Sequence, residues 1–164
     1  MFDAAPVSAG PKPVFYAELA AQARALLAGE RDLIANAANF SALAYQALPD
    51  INWAGFYFHD GHELVLGPFQ GKPACVRIAL SRGVCGAAAS QRQTQVVPDV
   101  HAFPGHIACD AASRAEIVVP LVHEGRLLGV WDVDSPLPGR FDDEDRVGME
   151  ALCEVFLHSL RPAD

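Results

Sequence analysis

The chain has 164 residues, 51% hydrophobic and 20% charged, which fits one globular domain with a sizeable core and excludes a disordered segment. Its formal net charge of -8, without a Lys/Arg cluster, argues against nucleic acid or an anionic membrane as a partner. No apolar run approaches the ~20 residues of a membrane span, and the opening MFDAAPVSAGPKP lacks a basic region followed by an apolar stretch, so a cytoplasmic location is expected.

Residues 1–13, with three prolines, read as a loose arm ahead of a single domain over 14–164. FYAELAAQARALLAGE predicts a helix that stops near Gly29. RDLIANAANFSALAYQAL predicts a second, with Leu33, Ala37, Phe40 and Ala44 on one face and Pro49 ending it. The period then changes to two. INWAGFYFHD and HELVLGPF flank Asp60-Gly61, a hairpin signal. ACVRIAL alternates, with Val76, Ile78 and Leu80 on one face and Cys75 and Arg77 on the other. SRGVCGAAASQRQ is punctuated by glycine and then helix-like, and TQVVPDV is a short strand. EIVVPLVHEGRLLGVWDVDS is a second hairpin, turning at Glu124-Gly125. DDEDRVGMEALCEVFLHSL closes the chain as a helix with an acidic first turn and Met149, Leu152, Cys153, Phe156 and Leu160 as its apolar stripe. This order predicts an α+β domain: a central antiparallel sheet of about six strands with helices packed mainly on one face. The first helix offers an apolar face on which two copies could pair.

Four cysteines in a chain with its own core are not needed as staples, and without a CxxC neither a zinc ribbon nor a thioredoxin-type motif is supported. Cys153 lies on the core stripe of the last helix and reads as a small buried hydrophobe. Cys85 sits between glycines at a turn into a helix; it either fits a tight corner or has its thiolate favoured by the helix N-terminus. Cys75 shares a strand face with Arg77, away from the aliphatic side, and reads as structural or reactive. Cys109 is the strongest candidate for chemistry, because it follows the turn-rich HAFPGHIA outside any apolar period, near His101 and His106. The spacing of these histidines and cysteines matches no common zinc pattern, and no metal is expected.

Asp132 and Asp134 are in phase on one face of GVWDVDS, with Trp131 and Val133 on the other. Glu116 opens the strand whose hairpin partner carries them. Single acids at strand ends are ordinarily solvated, but three converging on one face could bind a cation or keep one carboxyl protonated. Trp53 and Tyr57, in phase on one strand, read as core or sheet-face aromatics.

The segments INWAGFYF, GPFQGKPACVRI, SRGVCGAAAS, DVHAFPGHIACDAASRAEIVVPL and GVWDVDS together resemble the free methionine-(R)-sulfoxide reductases, GAF-domain enzymes that act on the free amino acid. The resemblance runs from about residue 14 to 160 and includes the spacing of three cysteines, ten residues and then twenty-four. It departs at ALSRGVCG, where the family more often has a Pro- or Phe-containing lead-in. The resemblance implies a GAF fold with Cys109 as nucleophile, Cys75 as its disulfide partner and Cys85 as an auxiliary or recycling thiol. Trp53 and Tyr57 would wall the substrate's methyl and side chain, and Glu116, Asp132 and Asp134 would form the polar end. It further implies a sulfenic acid resolved to a disulfide, thioredoxin as reductant, a homodimer, and no flavin, nicotinamide or metal. The alternative is a stand-alone GAF sensor of a small ligand or of redox state, although a sensor has no evident use for three thiols around an acidic pocket.

Overall fold

The computed structural model describes residues 1–7, 9–106 and 110–162. Helix α1 (Lys12–Leu27) begins two residues inside the expected arm. Pro13 is tolerated there because a first-turn residue has no intrahelical use for an N–H. Helix α2 (Leu33–Ala47) is capped by Asp32, whose carboxylate accepts the Ala35 N–H, and it stops just before Pro49. Strands β1 (Trp53–His59) and β2 (Glu63–Gly71) form the first hairpin, and β3 (Arg77–Ala79) joins its outer edge. Helix α3 (Gly83–Gln91) and strand β4 (Gln95–Val97) precede the second hairpin, β5 (Ala115–His123) and β6 (Arg126–Ser135). Helix α4 (Asp143–Ser159) ends the order. The six strands run β3-β2-β1-β6-β5-β4, every neighbour antiparallel.

Alternation along the central strands separates two apolar layers. Phe56, Ile117, Val119, Trp131 and Val133 face α1, α2 and α4. Phe40 of α2 and Phe156 of α4 close over them: Phe40 lies 4.8 Å from Trp131, and Phe56 lies 4.6 Å from Phe156, centroid to centroid. Tyr57, Leu64, Val118 and Val130 face the other way, against α3. Three of the four helices thus cover one face, leaving room for a cleft beside α3 on the other. Cys153 is buried on the helix side as a free thiol, as its stripe predicts.

Helix α1 spends its apolar face within the chain. Tyr16, Leu19, Ala20, Ala23 and Leu27 are buried against the helical layer, so that face is not available for pairing two copies. Asp145, fully buried in the first turn of α4, accepts from Tyr16 Oη at 2.6 Å, Lys12 Nζ at 2.7 Å and Arg140 Nη1 at 3.3 Å. It also completes a reciprocal capping box with Asp142.

One predicted strand is shorter than its pattern. The alternation of ACVRIAL extends over seven residues, yet β3 holds only three, and Cys75 lies outside it. Val76, expected beside Ile78 on a buried face, is 61% exposed. The preceding carbonyls of Lys72 and Cys75 accept from aromatic side chains of β1 instead of joining a ladder.

Candidate active site

The cleft on the α3 side is built on β1, β5 and β6, with α3 and two loops closing it. Trp53 and Tyr57 point into it because they are two pleats apart on β1. Trp53 stacks on Phe69 at 5.2 Å with 15° between ring planes, and Tyr57 lies 5.9 Å from Trp53. The residue between them must be Gly55, since a Cβ there would come 2.3 Å from Phe69 Cβ. The polar tips of both aromatics are used: Trp53 Nε1 donates to the Lys72 carbonyl at 3.1 Å, and Tyr57 Oη donates to the Cys75 carbonyl at 3.0 Å.

Facing this wall are the three acids. Glu116 pairs with Asp134 across β5 and β6, and Asp132 follows one pleat on. Across β1, Asp134 lies opposite Trp53 and Asp132 opposite Gly55. Glu116 and Asp132 are only 6% and 5% exposed. A carboxylate there loses hydration and meets like charges, and both effects favour the neutral acid. Burial, reinforced by Asp134, pushes Asp132 up to about 8. Burial and Asp132 hold Glu116 well above the usual carboxylate range, and burial and Glu116 do the same to Asp134. Asp132 Oδ1 is buried with no hydrogen-bond partner among the described residues, an unmet acceptor at the polar end of the cleft.

Cys85 departs from one sequence reading. It is in the first turn of α3 as expected, but burial and the neighbouring Asp132, Glu116 and Asp134 charges push its thiol well up, against the thiolate that a helix N-terminus would favour. Its sulfur and one oxygen each of Glu116 and Asp132 lie within 4.8 Å of one another. They are the donor set that a divalent cation could use, in competition with the protons held there.

Cys75 is half-buried and disulfide-bonded, whereas Cys85 and Cys153 are free thiols. The expected nucleophile, Cys109, lies outside the described residues. Of the two histidines near it in sequence, His106 lines the cleft, its pKa lowered by burial and by His101, and His101 is exposed.

The cleft thus gathers Trp53, Tyr57, Cys85, Glu116, Asp132 and Asp134; alternation alone puts the three acids on one face, while the two aromatics and Cys85 are implied only by the family resemblance. It also includes Lys72, Asp110 and Ser113, and behind the last two stands Asn52. No periodicity marks these positions. Asn52 precedes β1, and its two side-chain contacts join residues about sixty positions away.

A GAF-domain model matches residues 15–157. A free methionine-R-sulfoxide reductase from Escherichia coli is 57% identical over 141 residues, 86% of this chain and 86% of that protein. A Burkholderia vietnamiensis crystal structure described as a GAF sensor is 70% identical with a TM-score of 0.89, covering 93% of this chain and 100% of that one. The X-ray structure of free methionine-R-sulfoxide reductase from Neisseria meningitidis, in complex with its substrate, is 43% identical with a TM-score of 0.91, covering 96% and 95%. By sequence, fold and extent of match, this chain belongs to the GAF-domain family and, within it, to the free methionine-R-sulfoxide reductases, which are oxidoreductases.

Proposed function

We propose that this chain reduces free methionine-(R)-sulfoxide to methionine through cysteine chemistry in the cleft, with Cys109 as nucleophile and Cys75 as its disulfide partner. The observation that carries the reading is a trio of proton-holding acids, Glu116 and Asp132 buried and Asp134 half-buried, facing an aromatic wall, beside the segment that carries the disulfide-bonded Cys75. A thiolate at Cys109 attacks the sulfoxide sulfur, and a carboxyl proton goes to the departing oxygen. Methionine leaves, and Cys109 becomes a sulfenic acid. The Cys75 thiol then displaces water to form the disulfide, which thioredoxin or a similar dithiol reduces. Electrons therefore come from thiols alone. That Cys85 is free, buried and firmly protonated supports Cys75 over Cys85 as the partner. Cys85 then belongs to the cleft wall. Trp53 and Tyr57 surround the methyl and side chain, while Asp132, with its unmet acceptor, takes the α-ammonium. A cytoplasmic setting and a homodimeric assembly complete the reading.

The test is NADPH consumption coupled through thioredoxin and its reductase, with resolved R and S sulfoxides and the N-acetylated R form. Turnover of the free R form alone is expected. Comparable kcat/KM for the N-acetylated form would overturn ammonium recognition. Ligand binding with no loss of thiols would favour the sensor alternative.

A further inference from the structure

The loop that follows Cys109 is tied to the sheet by one side chain. Asn52 Nδ2 donates to Asp110 Oδ2 at 3.2 Å and to Ser113 Oγ at 3.1 Å, while its backbone N–H donates to the Asp134 carbonyl at 2.9 Å. A carboxylate can only accept, so the amide must present its NH2 to Asp110. The other Asp110 oxygen accepts from the Ala112 N–H at 2.9 Å, and the Asp110 carbonyl accepts from the Ser113 N–H at 3.1 Å, which makes residues 110–113 a closed turn. Asn52 Oδ1 is buried without a partner among the described residues. Leaving that acceptor unmet carries a desolvation cost, so it is the two donor contacts to Asp110 and Ser113 that set the orientation of the amide. The next residues of the same chain segment hold the other redox loop: Trp53 and Tyr57 take the carbonyls of Lys72 and Cys75.

We infer that Asn52 is a positioning residue: it holds Asp110 and Ser113, both of which line the cleft, in the turn that immediately follows the proposed nucleophile in sequence. The start of β1 thereby acts as a common frame for the 110–113 turn and for the segment that carries Cys75. This inference rests on the function proposed above. Its contribution is geometric, since a thiol displaced by about 1 Å from its line of attack loses about a hundredfold in rate.

Asn52→Leu removes both donors, and Asn52→Asp replaces the NH2 with an acceptor facing a carboxylate. Both are assayed as full chains for kcat, KM for free methionine-(R)-sulfoxide, disulfide formation by thiol counting after rapid mixing, and thermal midpoint. The expected result is kcat down by about a hundredfold in Asn52→Leu with KM within about threefold of wild type. Asn52→Asp should be impaired at pH 8, and its kcat relative to wild type should recover as the pH falls, because a protonated Asp can again donate to Asp110. If Asn52→Leu does not fold, the Asn52→Asp pH profile decides. A lowered thermal midpoint with kcat unchanged, a rise confined to KM, or a pH-independent ratio for Asn52→Asp would each overturn the inference. Absence of sulfoxide reduction by the wild type would instead overturn the proposed function.

Discussion

Replacing Asp132 by Asn should abolish a steep pH dependence in ligand affinity. Burial, with help from Asp134, raises Asp132 to about 8, so the neutral acid predominates at pH 7. Pairing with an α-ammonium needs the carboxylate. At pH 6, about two units below that value, ionising Asp132 takes about 3 kcal/mol. The dissociation constant should then be about a hundredfold weaker at pH 6 than above pH 8, and about tenfold weaker at pH 7. The sign follows from which form binds: a raised pKa penalises binding below it, so affinity climbs with pH and levels off beyond about 8. Titration calorimetry with L-methionine, the product, at pH 6, 7 and 8 measures the slope. Two buffers of different ionisation enthalpy should reveal release of about one proton at pH 6. Asp132→Asn has no proton to lose, and its affinity should be weak and flat. A wild-type dissociation constant constant across that range, or a variant that kept the wild-type slope, would refute the assignment of the ammonium to Asp132.

Cys75→Ser should still release about one methionine per enzyme but lose most thioredoxin-coupled turnover, whereas Cys85→Ser should retain coupled turnover; stopped-flow product release beside NADPH consumption distinguishes them, and the reverse pattern would transfer the resolving role to Cys85. Asp145→Ala should cost about 3–5 kcal/mol in urea unfolding, because it leaves Arg140 Nη1 and the Tyr16 hydroxyl without their buried acceptor, takes one of two carboxylates from Lys12 and removes the reciprocal half of the α4 capping box. A loss below about 1 kcal/mol would mean that water replaces those contacts.

Much of this architecture is legible in the chain because its signals are local. Asp60-Gly61 and Glu124-Gly125 announce their turns, and the alternation of Trp131, Asp132, Val133 and Asp134 assigns each side chain to a face. What escapes is decided by partners remote in sequence. Cys75 looks like a strand residue until Tyr57 takes its carbonyl. The Cys85 thiol looks activated until Glu116 and Asp132 are seen beside it, because helix-terminus reasoning includes neither burial nor charges from other strands. The apolar face of α1 looks free for a second copy until α4 covers it. Asn52 carries no signal at all, since the pattern of a strand does not specify the residue before it.

Strand β6 supplies aromatic and aliphatic packing from one side and acids from the other, and the turn that sets its pairing has both Glu124 and Gly125 at positive φ, 52° and 79°. A slip of one residue in that hairpin would drive Asp132 and Asp134 into the layer of Phe40, Phe56 and Phe156 and expel Trp131 into the cleft. Such a misaligned chain is disfavoured as a compact species, because the error that dismantles the cleft also puts two unpartnered carboxyl groups into the oily interior. The acids therefore act as a proofreading device for folding: molecules that reach a stable state are, by that fact, molecules with the cleft assembled. For protein engineering, this favours replacing Asp132 or Asp134 in place and disfavours insertions or deletions between residues 124 and 131.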